Sequence, residues 1–186
     1  MEQAALDALR WPKNLRISFN IAPCQLVDTA FALQLLRILG KIGLSFHRLE
    51  LELTEEALVK NAEDALLNIQ FLKGQGVTIA LDDFGTGYAS LHHLRLLPFH
   101  LEKIDWSFVK PILTSESDRR MIAAAIDFTH ALGIPILAEG VENSEQADVL
   151  RALGCDFAQG WFFGRACSAE ELLIRNVELE RASAAG

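Results

Sequence analysis

Six short apolar runs, each followed by a longer stretch of helical apolar spacing, constrain this chain more than any other feature of its sequence. The runs lie at Leu15 to Ile21, Arg48 to Thr54, Val77 to Asp82, Leu101 to Asp105, Pro135 to Glu139 and Asp156 to Trp161. Their length and β-branched content predict strands. Between and after them, Leu26 to Leu39, Glu55 to Gly74, Tyr88 to Leu97, Ser117 to Leu132, Ser144 to Leu153 and Ser168 to Glu180 repeat apolar residues at helical spacing. Thr54, Ser117, Ser144 and Ser168 suit helix starts, and Gly74, Gly133 and Gly154 suit helix ends. No linker interrupts the pattern. At 186 residues, half of them apolar, the chain can bury one core, so residues 1–180 are expected to form a single domain and 181–186 a disordered tail. Alternation of this kind predicts a parallel sheet covered by helices, either open or closed as a barrel. No Gly-x-Gly-x-x-Gly follows the first strand, which argues against a dinucleotide fold.

The choice between sheet and barrel turns on where the polar residues fall. Asn20, Glu52, Asp82 with Asp83, Lys103 with Asp105, Glu139 and Gln159 each stand at or near the C-terminal end of a different predicted strand. In a parallel barrel those ends converge on the face that carries active sites, whereas an open sheet spreads them along a crevice. Six strands that each contribute a polar end residue favour a TIM-type barrel with one shared site.

The densest chemistry lies in Thr78 to Gly87, where a buried run ends in Asp82-Asp83 and turns through Phe84-Gly85-Thr86-Gly87. Two adjacent anions at the end of a buried strand ask for a cation; taken alone, a helix cap followed by a turn aspartate explains them equally well. Asn20, Glu52, Asp82, Asp83 and Glu139 together offer oxygen donors only, which suits Mg2+ or Mn2+ better than zinc, with Ca2+ as an inhibitory competitor. Paired aspartates can supply one bridging and one terminal carboxylate, as two-ion phosphodiester hydrolysis requires. Lys103, beside several carboxylates, should stay protonated and orient water or steady phosphoryl charge, unless it simply pairs with Asp105. The net charge of −8 disfavours a nucleic-acid polymer or anionic membrane surface as partner. Cys24, Cys155 and Cys167 are too scattered for a disulfide framework or zinc cluster and read as reduced, mostly buried thiols. With no signal-peptide pattern and no apolar run long enough to span a bilayer, a cytoplasmic setting is expected.

Six segments in order carry a family resemblance: Phe19-Asn20-Ile21, Glu52-Leu53-Thr54-Glu55, Asp82-Asp83-Phe84-Gly85-Thr86-Gly87-Tyr88-Ala89-Ser90, Lys103-Ile104-Asp105, Ala138-Glu139-Gly140-Val141-Glu142, and Gln159-Gly160 followed by an aromatic. On these the chain resembles the EAL-domain cyclic di-GMP phosphodiesterases. The resemblance implies a TIM-type barrel that hydrolyses cyclic di-GMP to linear pGpG with two Mg2+ or Mn2+ ions. It implies that Asn20, Glu52 and Asp82 hold the first ion and Asp82, Asp83 and Glu139 the second. Lys103 would hold the catalytic water with Asp105 beside it, and Glu142 and Gln159 would support the site. Glu55 would anchor the loop of Phe84, Gly85, Thr86 and Gly87, through which family members couple dimerisation or signals from other domains to metal binding. A homodimer and an upstream sensory or GGDEF-type domain are the partners so implied.

The departures bear on activity. Family domains begin with a Gln-Pro segment and a Glu-Ala-Leu strand with a nearby substrate-binding arginine, and neither precedes Asn20 here. Glu56-Ala57-Leu58 falls in a predicted helix and is an accidental match. Six strands of eight are therefore expected, with one metal carboxylate missing, open strand edges that favour association, and weak or absent activity of these residues by themselves. Trp106 stands where the family usually has arginine, His100 for aspartate, Trp161 for tyrosine and Ala166 for proline. Trp161 could face a guanine or pack in the core of the last strand. His92, His93 and His130 read as solvent-facing helix residues. The rival to catalysis is an impaired cyclic di-GMP receptor or a dimerisation module. An enzyme acting on some other phosphorylated substrate has little support.

Overall fold

The computed structural model describes residues 1–54, 62–85 and 99–174. Glu55, Thr86, Gly87, His92, His93, the predicted helix Tyr88 to Leu97, the first part of the helix Glu55 to Gly74 and the tail 181–186 lie outside them. The strands are β1 (Ile17–Asn20), β2 (Leu49–Thr54), β3 (Thr78–Phe84), β4 (Leu101–Ile104), β5 (Ile136–Ala138) and β6 (Phe157–Ala158). All five pairings are parallel, in sequence order from β1 to β6. The sheet curls into a half-barrel, an incomplete TIM-type α/β barrel of six strands, as the alternation predicted. The helices are α1 (Glu2–Ala8), α2 (Pro23–Leu26), α3 (Thr29–Ile42), α4 (Ala62–Gly74), α5 (Trp106–Val109), α6 (Glu116–Ala131) and α7 (Ser144–Ala152).

The period of two in β2 sorts its side chains cleanly. Leu49, Leu51 and Leu53 are fully buried against the helices, each contributing roughly 1.5–3 kcal/mol of burial, while Glu50, Glu52 and Thr54 face the concave side. Parallel register carries the same alternation across the sheet: Asn20 is opposite Glu52, Glu52 opposite Ala80, Thr54 opposite Asp82, and Lys103 opposite Leu137. Two apolar cores lie behind the sheet, one under α1–α4 around Leu39, Leu51 and Ile69, the other under α5–α7 around Ile112, Ile122 and Leu150.

Several predicted boundaries shift for local reasons. The helix expected over Leu26 to Leu39 is two helices, because Asp28 leaves the helical conformation and accepts the Ala30 N–H. Ser115 and Asn143, rather than Ser117 and Ser144, cap α6 and α7. Ser168 does cap the turn at 169–174, in a reciprocal pair with Glu171. The last strand is two residues long rather than six, and Trp161 beyond it is 61% exposed with Arg165 over its ring at 4.6 Å. Its core alternative is thereby overturned. His130 is a solvent-facing helix residue, as expected, and its Nε2 lies 2.8 Å from Asp156 Oδ2, which also accepts the Ile136 N–H. Of the cysteines expected to be mostly buried, Cys24 is exposed and Cys155 and Cys167 are half-buried.

His100 explains itself by what it accepts. Its Nδ1 accepts the Ile79 N–H at 3.1 Å while the His100 backbone N–H donates to Ile79 O at 2.9 Å, closing the entry to β4 onto β3. An aspartate there could accept the same bond. Burial, then the positive charges of Lys73 and Arg16, holds this imidazole below its ordinary value. The fold thus prefers the neutral ring, so its stabilising effect is complete above about pH 6.5 and is lost as pH falls through the depressed folded value. We expect urea midpoints to drop between pH 7 and pH 5, and His100→Asn, whose amide oxygen can accept the same bond, to shrink that drop. An equal drop in both proteins would rule His100 out as its source.

Candidate active site at the strand ends

Lys103 is the hub. Its ammonium is 3% exposed and lies 2.5 Å from Glu139 Oε1, 2.9 Å from Glu52 Oε2 and 3.6 Å from Asp82 Oδ1. The four groups come from β2, β3, β4 and the residue just past β5, all on the concave face. Burial by itself works against the ammonium, but the hydrogen bonds to Glu139 and Glu52 outweigh it and hold its proton well above the ordinary lysine range. Glu139 is pushed up, first by burial and then by the like charges of Asp82 and Glu52, against the opposing pull of Lys103.

The neighbours position these carboxylates. Gln159 Nε2 donates to Glu139 Oε1 at 2.7 Å, and the Ser18 hydroxyl donates to Glu52 Oε1. Asn20 stands exposed at the level of Glu52. Asp83 departs from strand alternation. The β3–β4 register slips between Leu81 and Phe84, and Asp83 takes φ 58, with its N–H donating to Asp82 Oδ1 at 3.1 Å. A bulge of this kind re-aims a side chain that the pleat alone would send to the opposite face. Phe84 is half-buried against the first core, and a Cβ on Gly85, φ 98, would lie 3.2 Å from the Phe108 ring.

Asp105 and Glu142 are held by contacts of their own. Asp105 does not pair with Lys103; it caps α5, accepting the Ser107 N–H at 3.0 Å and the Ser107 hydroxyl. Glu142 is exposed, and its N–H donates to Gln146 Oε1 at 2.8 Å. Buried Gln146 and the Gly140–Trp106 contact, where an added Cβ would stand 2.6 Å from Trp106 Cβ, shape the loop after β5 and had no sequence signal. Ser18 had one: two residues before Asn20, it must share Asn20's face.

Whether these residues suit a divalent ion is a question of donor type and spacing. The donors are all hard oxygens, which fits magnesium or manganese. Among the described residues no group of three His, Cys, Asp or Glu side chains is spaced to hold a metal ion; Glu52, Asp82 and Glu139 close on the Lys103 ammonium.

The sequence model of the EAL domain matches residues 1–166. The chain belongs to the EAL domain family. Among curated relatives, this EAL domain is 42% identical over 174 residues to an uncharacterized signaling protein of Caulobacter vibrioides, covering 94% of the chain and 22% of that protein. It is 37% identical over 153 residues to a probable cyclic di-GMP phosphodiesterase, PdeA, of Escherichia coli, covering 82% of the chain and 21% of that protein. The chain thus spans about a fifth of the length of these relatives. Among solved structures, the PaMucR phosphodiesterase in complex with c-di-GMP superposes with a TM-score of 0.87 at 32% identity, over 92% of this chain and 71% of that one. BlrP1 of Klebsiella pneumoniae, in a manganese/cy-diGMP complex, does so with 0.81 at 27% identity, over 89% and 43%. Among the described residues no helix of this EAL domain is long and apolar enough to cross a membrane.

Proposed function

We propose that this EAL domain hydrolyses cyclic di-GMP to linear pGpG in a cytoplasmic setting. The observation that carries the reading is the convergence of Glu52, Asp82 and Glu139 on Lys103 at the strand ends. Asn20, Glu52 and Asp82 would hold one divalent ion and Asp82, Asp83 and Glu139 a second, and such ions supply Lewis-acid activation of water and of the phosphodiester. Lys103, kept protonated, orients the attacking water and steadies charge that develops on the phosphoryl oxygens. It is a poor base for the same reason. Gln159 and Ser18 hold Glu139 and Glu52 in place, and Asp105 acts through the cap that sets the start of α5. Glu142 and Glu55 support the site and its loop. Mg2+ or Mn2+ activates and Ca2+ inhibits. Among the described residues no Glu-Ala-Leu carboxylate lies on the concave face, so turnover by residues 1–186 alone is slow. A homodimer and a sensory or GGDEF-type domain elsewhere in the full protein are the proposed regulators.

The test is product formation. Purified chain with cyclic di-GMP and Mn2+ should yield slow release of pGpG on chromatography, abolished by Asp82→Asn and suppressed when Ca2+ replaces Mn2+. Extending the chain with a family Glu-Ala-Leu segment should raise the rate. Binding without turnover in the extended protein would establish the receptor function instead.

A further inference from the structure

The opposite end of the sheet holds a second concave feature. A cavity of about 570 Å³ opens between the connection from α1 to β1 and the connection from α3 to β2, walled by Leu9, Leu44, Lys13, Arg16, His47 and Arg48. None of the residues lining it is acidic, although the chain as a whole carries −8. Arg48 is the unusual member. It is 9% exposed, and its guanidinium donates through Nε to Leu15 O at 2.8 Å and through Nη2 to Pro12 O at 3.1 Å. Both acceptors are neutral carbonyls. Buried arginines ordinarily face a carboxylate, because an uncompensated charge away from water is costly. Among the described residues, Lys13, Arg16 and Arg48 form no ion pair with any carboxylate. Arg16 donates to Thr78 Oγ1 at 3.5 Å, and its positive charge acts on Glu50 from beyond ion-pair distance.

We propose that this cavity binds the phosphate group of a nucleotide-sized ligand, with Arg48, Arg16 and Lys13 as the anion's partners. Three permanent cations match a phosphate dianion better than a single carboxylate, and the two guanidinium forks suit its oxygens. The volume lies within the range of about 300–1,000 Å³ typical of small-molecule sites, and Leu9 and Leu44 offer apolar surface to the body of such a ligand. The site is separate from the Lys103 hub. Arg48 immediately precedes β2 and Glu52 lies near that strand's far end, so the two sites occupy opposite ends of the same strand.

Calorimetric titration of the 186-residue chain at low salt tests this with AMP, adenosine and inorganic phosphate as probes. AMP should bind, adenosine should not, and the exposed substitutions Lys13→Ala and Arg16→Ala should each weaken AMP by about tenfold with unchanged circular dichroism. Phosphate binding more weakly than AMP supports a nucleotide; phosphate binding equally well would assign the site to the free ion and overturn the nucleotide. No AMP binding, or full AMP binding by the Lys13→Ala/Arg16→Ala protein, would overturn the site itself. Either failure leaves the cyclic di-GMP reading untouched, since neither residue belongs to the Lys103 hub.

Discussion

Lys103→Met should destabilise the fold by about 3–5 kcal/mol at neutral pH, the cost of breaking a buried ion pair from one side. The ammonium is the only cation paired to Glu52, Asp82 and Glu139 among the described residues, and those carboxylates are only 12%, 15% and 18% exposed. Methionine fills a similar volume, so the effect isolates charge. Without the ammonium the three anions repel, and Glu139, already pushed up by burial and by the like charges of Asp82 and Glu52, loses the opposing pull of Lys103. A carboxyl raised in this way favours folding below the unfolded carboxylate range near pH 4 and disfavours it increasingly as pH rises through its folded value. The gap between wild type and variant should therefore be widest near pH 7 and narrow toward pH 4. Millimolar Mn2+ should recover part of the loss in the variant and add less to the wild type. Urea titrations at pH 4 and 7, with and without Mn2+, measure all of this; a neutral-pH loss under 1 kcal/mol would show that the hub does not hold the half-barrel together.

Gly160→Ala should cost roughly 3 kcal/mol or more, the range of severe overpacking. A Cβ at that position would stand 2.2 Å from Val141 O and 2.3 Å from Val141 N, and backbone cannot swing aside as a side-chain tip can. Val141 N–H donates to Gln159 O, and Val141 O accepts the Phe162 N–H, both at 3.0 Å. The collision therefore forces apart the two connections that follow β5 and β6. For a domain of this size the melting temperature should fall by roughly 6–12 °C. Gln159 moves with them and loses its 2.7 Å bond to Glu139. Gly43→Ala provides the control: its added Cβ meets nothing within 4 Å, although φ 82 still strains it, so only a smaller fall is expected there. Equal melting shifts for the two variants would refute the steric account.

The parallel order of the six strands was legible because each buried run is followed by a helix, and a parallel connection needs such a crossover. Glu52, Asp82, Lys103, Glu139 and Gln159 were legible as one group because strand ends of a parallel half-barrel share a face. The alternative of a Lys103–Asp105 ion pair is not realised. A Lys-x-Asp spacing puts both residues on one face of a strand, but β4 ends at Ile104 and Asp105 turns to cap α5. A six-residue last strand would carry Trp161 into the core, but only Phe157–Ala158 pairs and the indole stays exposed.

Local pattern alone was enough for the strand-helix alternation, the oxygen-only donor set and the end of the sheet on which it gathers, since each depends on periodicities of two and 3.6 residues along the chain. Tertiary structure alone decided which carboxylates meet, because the distances from Lys103 to Glu52 and Glu139 depend on the curl of the sheet. It also decided the fate of the aspartate pair. In a regular strand Asp82 and Asp83 would point to opposite faces; the register slip and the left-handed Asp83 break that rule. The basic cavity belongs to the same class. Lys13, Arg16, His47 and Arg48 are two unremarkable pairs in sequence, and only the pairing of β1 with β2 brings them to one wall.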